Sequence, residues 1–445
     1  MTQTIFALAT AAGCAAVAVV RISGPRSQDV LQTMAGPTPA PRRAVLRRLR
    51  DTDGQVLDEA LVLWLPGPGS FTGEDSAELH LHGGRASVEV VSATLAGLGL
   101  RLAEPGEFSK RAFQNGKLDL TQAEAIADLV DAETDGQRRQ ALGQLEGGLS
   151  ARYEAWRLRL IQALARLEAA VDFPDDDLPE ALSLEVGARV SALADELEAA
   201  LDDDGRGERV REGSRIALVG APNAGKSSLL NRLAGREAAI VTATPGTTRD
   251  VIEVPAVIDG FKVLFADTAG LRESADPIEV EGVRRAKAWA DQADLRLWVV
   301  DRSASGQWRM GAGISREGDL LLLNKADLPS GADADIVQAD VAAGLEALTV
   351  SAAADGGLDS LWRALGERVR RLTGGDFPVV TRIRHRRHLE EAVLALRRAE
   401  RGLALWPELG AEDLRHAGLA LGRIAGRIDP EQVLDEVFSS FCIGK

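Results

Sequence analysis

A lysine and a serine closing a glycine-bearing loop can grip a triphosphate, and Gly220-Ala221-Pro222-Asn223-Ala224-Gly225-Lys226-Ser227 has that form. The pattern is G-x-x-x-x-G-K-S. It follows an apolar, strand-like run, Ile216 to Val219, and precedes a helix-like run, Ser228 to Leu233, which is the context such a loop needs. Its glycines let the backbone fold into a concave nest whose N–H groups face phosphate oxygens, and the positive end of the following helix adds to the attraction. Lys226 is placed to neutralise the β- and γ-phosphates, and the Ser227 hydroxyl to bind Mg2+.

Two further segments follow in the order a guanine-nucleotide site requires. Asp267-Thr268-Ala269-Gly270 ends a second apolar run, Val263 to Ala266. A carboxylate there can hold Mg2+ through its water shell, and the Gly270 N–H can meet the γ-phosphate. Asn324-Lys325-Ala326-Asp327 follows a third apolar run, Leu320 to Leu323. The Asp327 carboxylate can accept from both N1–H and the exocyclic amine of guanine, an arrangement that adenine does not offer, so GTP is favoured over ATP. Ser351-Ala352-Ala353 is a weaker match to a loop that closes over the base. One departure shapes the chemistry. Ras-like GTPases carry a glutamine just after the D-x-x-G glycine to orient water; here that place is Leu271, which cannot. Water positioning and charge neutralisation must come from elsewhere.

These segments need strands and helices to hold them. At 445 residues, with 45% apolar and 27% charged residues, the chain reads as two or three soluble globular domains. Met1 to about Lys117 mixes strand signals (Val17 to Ile22, Ala60 to Leu65, Ala77 to Leu81) with a helix near Ala86 to Leu98, an α+β pattern. Ile5 to Val20 is small and apolar, but lacks a basic lead and is too short to span a bilayer. It reads as buried strands with a turn at Gly13. Tyr153, Trp156, Leu160, Leu164, Leu167 and Val171 share a helical face, and Val186, Val190, Leu193, Leu197 and Leu201 repeat the pattern. Gly205 to Ser214 reads as a charged, glycine-bearing linker. Strand and helix signals then alternate from Arg215 to about Leu372, as in a doubly wound domain, with Thr373-Gly374-Gly375 as exit hinge and helices again from Arg386 to Ser440. The expected architecture is multidomain α/β. An α+β N-terminal domain spans 1–118, and a discontinuous all-α domain spans 119–211 and 374–445. A doubly wound, Ras-like GTPase domain is inserted over 212–373.

The net charge of −15 argues against nucleic-acid binding driven by overall charge. The densest basic run, Arg382 to His388, reads equally as a local patch for that purpose and as a solvated helix start. Two cysteines, Cys14 and Cys442, give no disulfide framework and point to a reducing cytoplasm.

The sequence resembles the tRNA-modification GTPase MnmE (TrmE) family over nearly its full length. The matching stretches include Val20-Arg21-Ile22-Ser23-Gly24-Pro25, Thr72-Gly73-Glu74-Asp75, His82-Gly83-Gly84, Pro105-Gly106-Glu107-Phe108, Asp119-Leu120-Thr121-Gln122-Ala123-Glu124 and Asp172-Phe173. The terminal Phe438-Ser439-Ser440-Phe441-Cys442-Ile443-Gly444-Lys445 is the most specific. The resemblance implies a tetrahydrofolate-binding-like N-terminal domain that mediates homodimerisation and takes a reduced folate such as 5-formyltetrahydrofolate at Arg21, Glu78, Lys117 and Lys445. It implies an FAD-containing MnmG (GidA) partner, joined in a heterotetramer, and a tRNA substrate whose wobble uridine gains an aminomethyl or carboxymethylaminomethyl group at carbon 5. It further implies no membrane partner and a cytoplasmic location.

For GTP, the resemblance implies contacts from Asn223, Ala224, Gly225, Lys226, Ser227 and Ser228 in the first loop. Thr242, Ala243, Thr244, Pro245, Gly246, Thr247 and Thr248 contribute from a switch segment. Asp267, Thr268, Ala269 and Gly270, then Asn324, Lys325 and Asp327, then Ser351, Ala352 and Ala353, complete the set. Mg2+ falls to Ser227 and Thr248. K+, taken by Asn223, Thr242, Thr244 and Thr247, would supply the positive charge that an arginine finger gives elsewhere, and Glu279 would orient the attacking water. Pro245 stands where a small non-proline residue is usual, and Arg382 to His388 departs from the expected asparagine-arginine pattern.

Two other classes compete. An Era- or Der-like regulatory GTPase in ribosome assembly would carry a KH-like tail with a G-x-x-G loop, whereas this chain ends in Cys-Ile-Gly-Lys. A folate-dependent one-carbon transferase with a nucleotide-sensing G domain is the third.

Overall fold

The computed structural model describes residues 3–172, 180–203, 205–237, 253–267, 288–304, 316, 318–330, 345–375, 377–403, 406–428, 437–438, 441–442 and 444. The chain divides into two compact units: Met1–Ala127 with Gln144–Leu193 and Glu391–Lys445, and Asp128–Gly143 with Ala194–Glu390.

The first unit begins with β1 (Ile5–Leu8), β2 (Val17–Ser23), α1 (Ser27–Ala35), β3 (Val45–Arg50), β4 (Val56–Leu65), β5 (Ser76–His82), α2 (Arg85–Gly97), β6 (Arg101–Leu102) and α3 (Glu107–Gln114). Its sheet runs β3-β4-β5-β2-β1-β6, antiparallel except for the β1–β6 pair. Side chains alternate across a pleated strand, so Ala18, Val20 and Ile22 of β2 and Ala77, Leu79 and Leu81 of β5 fall on one face. They join Val30, Leu31 and Met34 of α1 and Val91 and Leu95 of α2 in the core. Each large apolar side chain so buried contributes about 1.5–3 kcal/mol. The intervening positions, Arg21, Glu78 and His80, are left on the other face. The α+β expectation holds, and so does the reading of Ile5 to Val20 as buried strands with a turn at Gly13: β1 and β2 bury Ile5, Phe6, Ala7, Ala18 and Val20, and the exposed connection at residues 11–16 carries the turn.

Helices follow as α4 (Leu120–Asp131), α5 (Asp135–Leu145), α6 (Gly148–Asp172), α7 (Glu180–Leu201) and α8 (Arg206–Glu212). The predicted stripes are buried at Tyr153, Trp156, Leu160 and Leu167 on α6 and at Val186, Val190, Leu193 and Leu197 on α7. Leu164 and Leu201 are half-buried at the margins, and the Val171 side chain lies outside the described residues. Gly205 to Ser214 is corrected from linker to structure: α8 occupies most of it, and Ser214 opens the next strand. Gly207 signals contact, not looseness, since a Cβ there would sit 2.1 Å from the Val380 carbonyl oxygen.

The second unit holds β7 (Ser214–Val219), α9 (Lys226–Glu237), β8 (Glu253–Ile258), β9 (Phe261–Asp267), β10 (Leu295–Asp301), β11 (Leu320–Asn324), β12 (Glu346–Thr349) and α10 (Asp359–Thr373). Its sheet order is β12-β11-β10-β7-β9-β8, parallel except for the β8–β9 hairpin. The near-continuous apolar strands pack against Leu229, Leu230 and Leu233 of α9 and Leu361, Leu365 and Val369 of α10, as a sheet covered by helices requires. Two helices remain. α11 (Ile383–Gly402) begins three residues before the expected Arg386, and α12 (Pro407–Ile424) lies along α6, where Arg415 pairs with Glu168 at 2.8 Å.

Candidate functional site

In an open parallel sheet, ligands gather at the carboxyl ends of the strands. The sequence-predicted residues Asp267 and Asn324 end β9 and β11, and the Gly220–Ser227 loop leaves the end of β7. Register fixes their neighbourhood: Leu218 of β7 is level with Asp267, and Asp301 of β10 is level with Asn324.

In the loop, the Lys226 ammonium is nearly buried and donates to the carbonyls of Gly220 and Ala221, both at 2.9 Å. Burial holds its pKa below the ordinary lysine value, and the Asp267 carboxylate offsets only part of that. The Ser227 hydroxyl donates to Asp267 Oδ2 at 2.7 Å, while Asp267 Oδ1 is buried without a hydrogen-bond partner. A hydroxyl and a carboxylate with a spare buried oxygen form the oxygen-rich donor set a hard divalent cation takes, so these two residues fit Mg2+. Asn223 is exposed, with φ of 64°, and Ser228 is exposed at the start of α9. Ala224 is fully buried, and its carbonyl accepts from Asn324 Nδ2 at 2.8 Å. Gly225 has φ of 93°, and a Cβ there would lie 2.3 Å from Asn324 Nδ2. The phosphate loop and the base segment therefore touch, and only glycine lets them.

On the base side, Asn324 is 1% exposed and its Oδ1 lacks a hydrogen-bond partner. Ser351 Oγ donates to Asp327 and also accepts from the N–H groups of Ala353 and Ala354, at 3.2 and 3.1 Å. The weak Ser351-Ala352-Ala353 match is thus next to the carboxylate it was expected to accompany. Lys325 reaches Asp301 Oδ2 at 2.6 Å. Sequence reasoning passed over Asp301, although it carries the same signal as Asp267, a carboxylate closing an apolar strand. Glu279, Thr242, Ala243, Thr244, Pro245, Gly246, Thr247, Thr248, Thr268, Ala269, Gly270 and Lys445 lie outside the described residues.

A second set is in the first unit. Arg21 and Glu78 are cross-strand neighbours on β2 and β5, paired at 3.1 Å. Glu78 Oε2 also meets His80 Nε2 at 3.2 Å. The Arg21 guanidinium lies 5.6 Å from the Phe71 ring centre and 5.8 Å from that of Phe108. Lys117 donates to the Pro68 carbonyl at 2.9 Å, so Arg21, through Phe71, and Lys117 both contact the Pro68–Glu74 loop. Beneath it runs a network that composition could not reveal: Ser23 to Thr72 and Glu74, and Arg111, 5% exposed, to Glu74 at 2.8 Å and Glu107 at 2.9 Å. The carboxyl-terminal Gly444 sits against β1, where a Cβ would lie 2.3 Å from the Leu8 carbonyl oxygen.

The basic run from Arg382 offers no free patch at its first turns. Arg382 pairs with Asp128 at 2.6 Å, Arg386 with Asp203 at 3.2 Å, and His385 is fully buried. Neither a phosphate-binding patch nor a merely solvated helix start describes it. Both cysteines are free and exposed, and no described helix is long and apolar enough to cross a membrane.

Two family descriptions match the chain: "GTP-binding protein TrmE N-terminus" over residues 4–117 and "MnmE helical domain" over residues 120–442. The "tRNA modification GTPase MnmE" of Phenylobacterium zucineum is 60% identical, with the whole of both chains covered. Those of Caulobacter vibrioides and Paramagnetospirillum magneticum are 58% and 54% identical, again over the whole of each chain. The solved G domain of the T. maritima FeoB iron transporter covers 35% of this chain and 98% of its own at 21% identity, and its TM-score of 0.26 carries no argument. Matched across both family descriptions, and more than half identical to full-length relatives, the chain belongs to the tRNA modification GTPase MnmE family.

Proposed function

We propose that this chain hydrolyses GTP and, with an FAD-containing MnmG-type partner, modifies carbon 5 of the tRNA wobble uridine using a one-carbon unit from a reduced folate. The observation that carries the nucleotide half is the meeting of Lys226, Ser227 and Asp267 with Asn324, Asp327 and Ser351 at one edge of a parallel sheet. Lys226 holds the phosphates, Ser227 and Asp267 hold Mg2+, and Asp327 selects guanine. The metal, when bound, spreads the charge that builds on the phosphoryl oxygens. With Leu271 in place of a glutamine, the reading gives the remaining charge to K+ at Asn223, Thr242, Thr244 and Thr247, and gives water orientation to Glu279. Thr248 would supply a further Mg2+ contact.

Support for the folate half comes from Arg21 and Lys117 against one loop of the first unit, with Glu78 paired to Arg21 and Gly444 seated against β1. A guanidinium and a carboxylate suit a folate's glutamate tail and pterin ring, respectively. The paired Arg21 and Glu78 would have to part, or share, on binding. Under this reading the folate and dimerisation domain is 1–118, the helical domain 119–211 with 374–445, and the G domain 212–373. The Era- or Der-like alternative falls behind because the full-length relatives carry the tRNA-modification name.

The test is mass analysis of tRNA wobble nucleosides from cells with and without this protein, beside GTP turnover in K+ and in Na+. Loss of a C5-modified uridine, and turnover that collapses in Na+, are expected. Unchanged nucleosides overturn the tRNA assignment, and equal turnover in the two salts overturns the cation mechanism.

A further inference from the structure

Asp301 closes β10 level with Asn324, one strand from the base-recognition segment, and is 7% exposed. Its Oδ2 takes the Lys325 ammonium at 2.6 Å, while Oδ1 accepts from the Ser303 hydroxyl at 2.6 Å and the Ser303 N–H at 2.9 Å. Both oxygens are thus occupied and the carboxylate cannot swing. Lys325 itself has φ of 61°, a left-handed conformation that disfavours residues with a Cβ. That turn stands between Asn324, which donates to the Ala224 carbonyl, and Asp327, which accepts from Ser351. The following N–H, of Ala326, is tied to the Val350 carbonyl at 3.1 Å, so the turn also sets the loop that begins at Ser351.

We propose that Asp301 is a specificity-determining positioning residue of the guanine site: by anchoring the Lys325 ammonium it stretches the lysine stem into a fixed platform for the purine ring and holds the left-handed turn between Asn324 and Asp327. It rests on the guanine-nucleotide reading and adds to it a residue outside the recognised motifs. Asp301 touches no nucleotide in this account and acts through Lys325 alone. Burial would raise the Asp301 pKa, yet the Lys325 ammonium and the Ser303 donors hold it below the ordinary carboxylate range, so the anchor is charged at neutral pH.

The experiment is a double-mutant cycle on the full chain, with a fluorescent GDP analogue as probe. Asp301→Asn keeps the shape and the Ser303 contacts but removes the charge. It should weaken GDP binding about tenfold, the size of one charge-assisted hydrogen bond. In a Lys325→Ala background the same change should add less than about twofold, because the group it acts through is gone. Discrimination between GDP and ADP should narrow in Asp301→Asn. Equal losses in the two backgrounds, or no loss in either, overturn the proposal. If the unaltered chain fails to prefer GDP to ADP, the failure belongs to the guanine reading itself. Thermal melts of each variant separate a loss of fold from a loss of affinity.

Discussion

Ser227, at the start of α9, donates its hydroxyl proton to Asp267 Oδ2, at the end of β9, across 2.7 Å. The bond joins two elements 40 residues apart and leaves Asp267 Oδ1 buried with no hydrogen-bond partner. A buried carboxylate oxygen with an unmade bond costs about 1–3 kcal/mol, and a hydrated cation placed there would relieve that cost. The structure thus holds the two oxygens in readiness instead of assembling them around the metal.

The first prediction follows. Ser227→Ala and Asp267→Asn should each lower kcat for GTP by roughly 10²-fold, the loss seen when one preorganised electrostatic contact is removed. Titrating Mg2+ against turnover checks it, since both variants should need more metal for half-maximal rate. Variants with wild-type metal dependence would place Mg2+ elsewhere.

Gly225→Ala tests the contact between phosphate loop and base segment. The new methyl would meet Asn324 Nδ2 at 2.3 Å from a backbone at φ of 93°, two separate insults. Together they should cost roughly 2–4 kcal/mol at the site. GDP and GTP affinity should fall together, by isothermal titration, while far-ultraviolet circular dichroism stays as in the unaltered chain.

In the first unit the pH dependence has a defined sign. Burial would raise the pKa of Glu107, but the Arg101 guanidinium, the Glu104 N–H and Arg111 outweigh it and hold it below its ordinary value of 4.5. A depressed folded-state value means that the stability is fully present above the unfolded pKa and is lost as pH falls through the folded one. Glu107→Gln should therefore lower the melting temperature at pH 7, by about 1–3 kcal/mol in stability. The melting curves of the variant and the unaltered chain should converge on acidification below the carboxylate range. A constant gap at every pH would mean that shape, not charge, matters there.

The parts of the site legible in the sequence are those where chemistry and chain order coincide. Asp267 and Asn324 end apolar strands because parallel strands buried on both faces must be apolar until they reach the edge, so the first polar residue marks the site. Arg21 with Glu78 was legible only through resemblance, since the pairing depends on register between strands 57 residues apart. Glycine misled once in the reading of segments and guided it once. Around Gly207 it marked close packing against Val380, where a linker was expected, and around Gly13 it marked the turn between strands that the sequence predicts. Composition cannot separate a glycine that frees the chain from one that admits a neighbour; only the neighbour does.

The same reasoning gives the last prediction, at the carboxyl terminus. Phe438 and Phe441 meet edge to face at 5.2 Å and pack with Leu120 and Ala123, which pins the segment onto the first unit. Gly106 completes that seat, since a Cβ there would stand 2.6 Å from the Phe438 carbonyl oxygen. Gly444 then runs against Leu8, the residue level with Val20 and next to the Ala7–Arg21 pair. With φ of 101° and the Leu8 carbonyl where a side chain would begin, Gly444→Ala must lift the end of the chain away from β1. If the terminal lysine serves the folate beside Arg21, affinity for 5-formyltetrahydrofolate should fall about tenfold, the size of one charge-assisted contact. GTP turnover, whose residues belong to the second unit, should hold at the unaltered rate. Equilibrium dialysis of the folate beside a GTPase assay reads both, and a variant that keeps its folate affinity would remove the carboxyl terminus from that site.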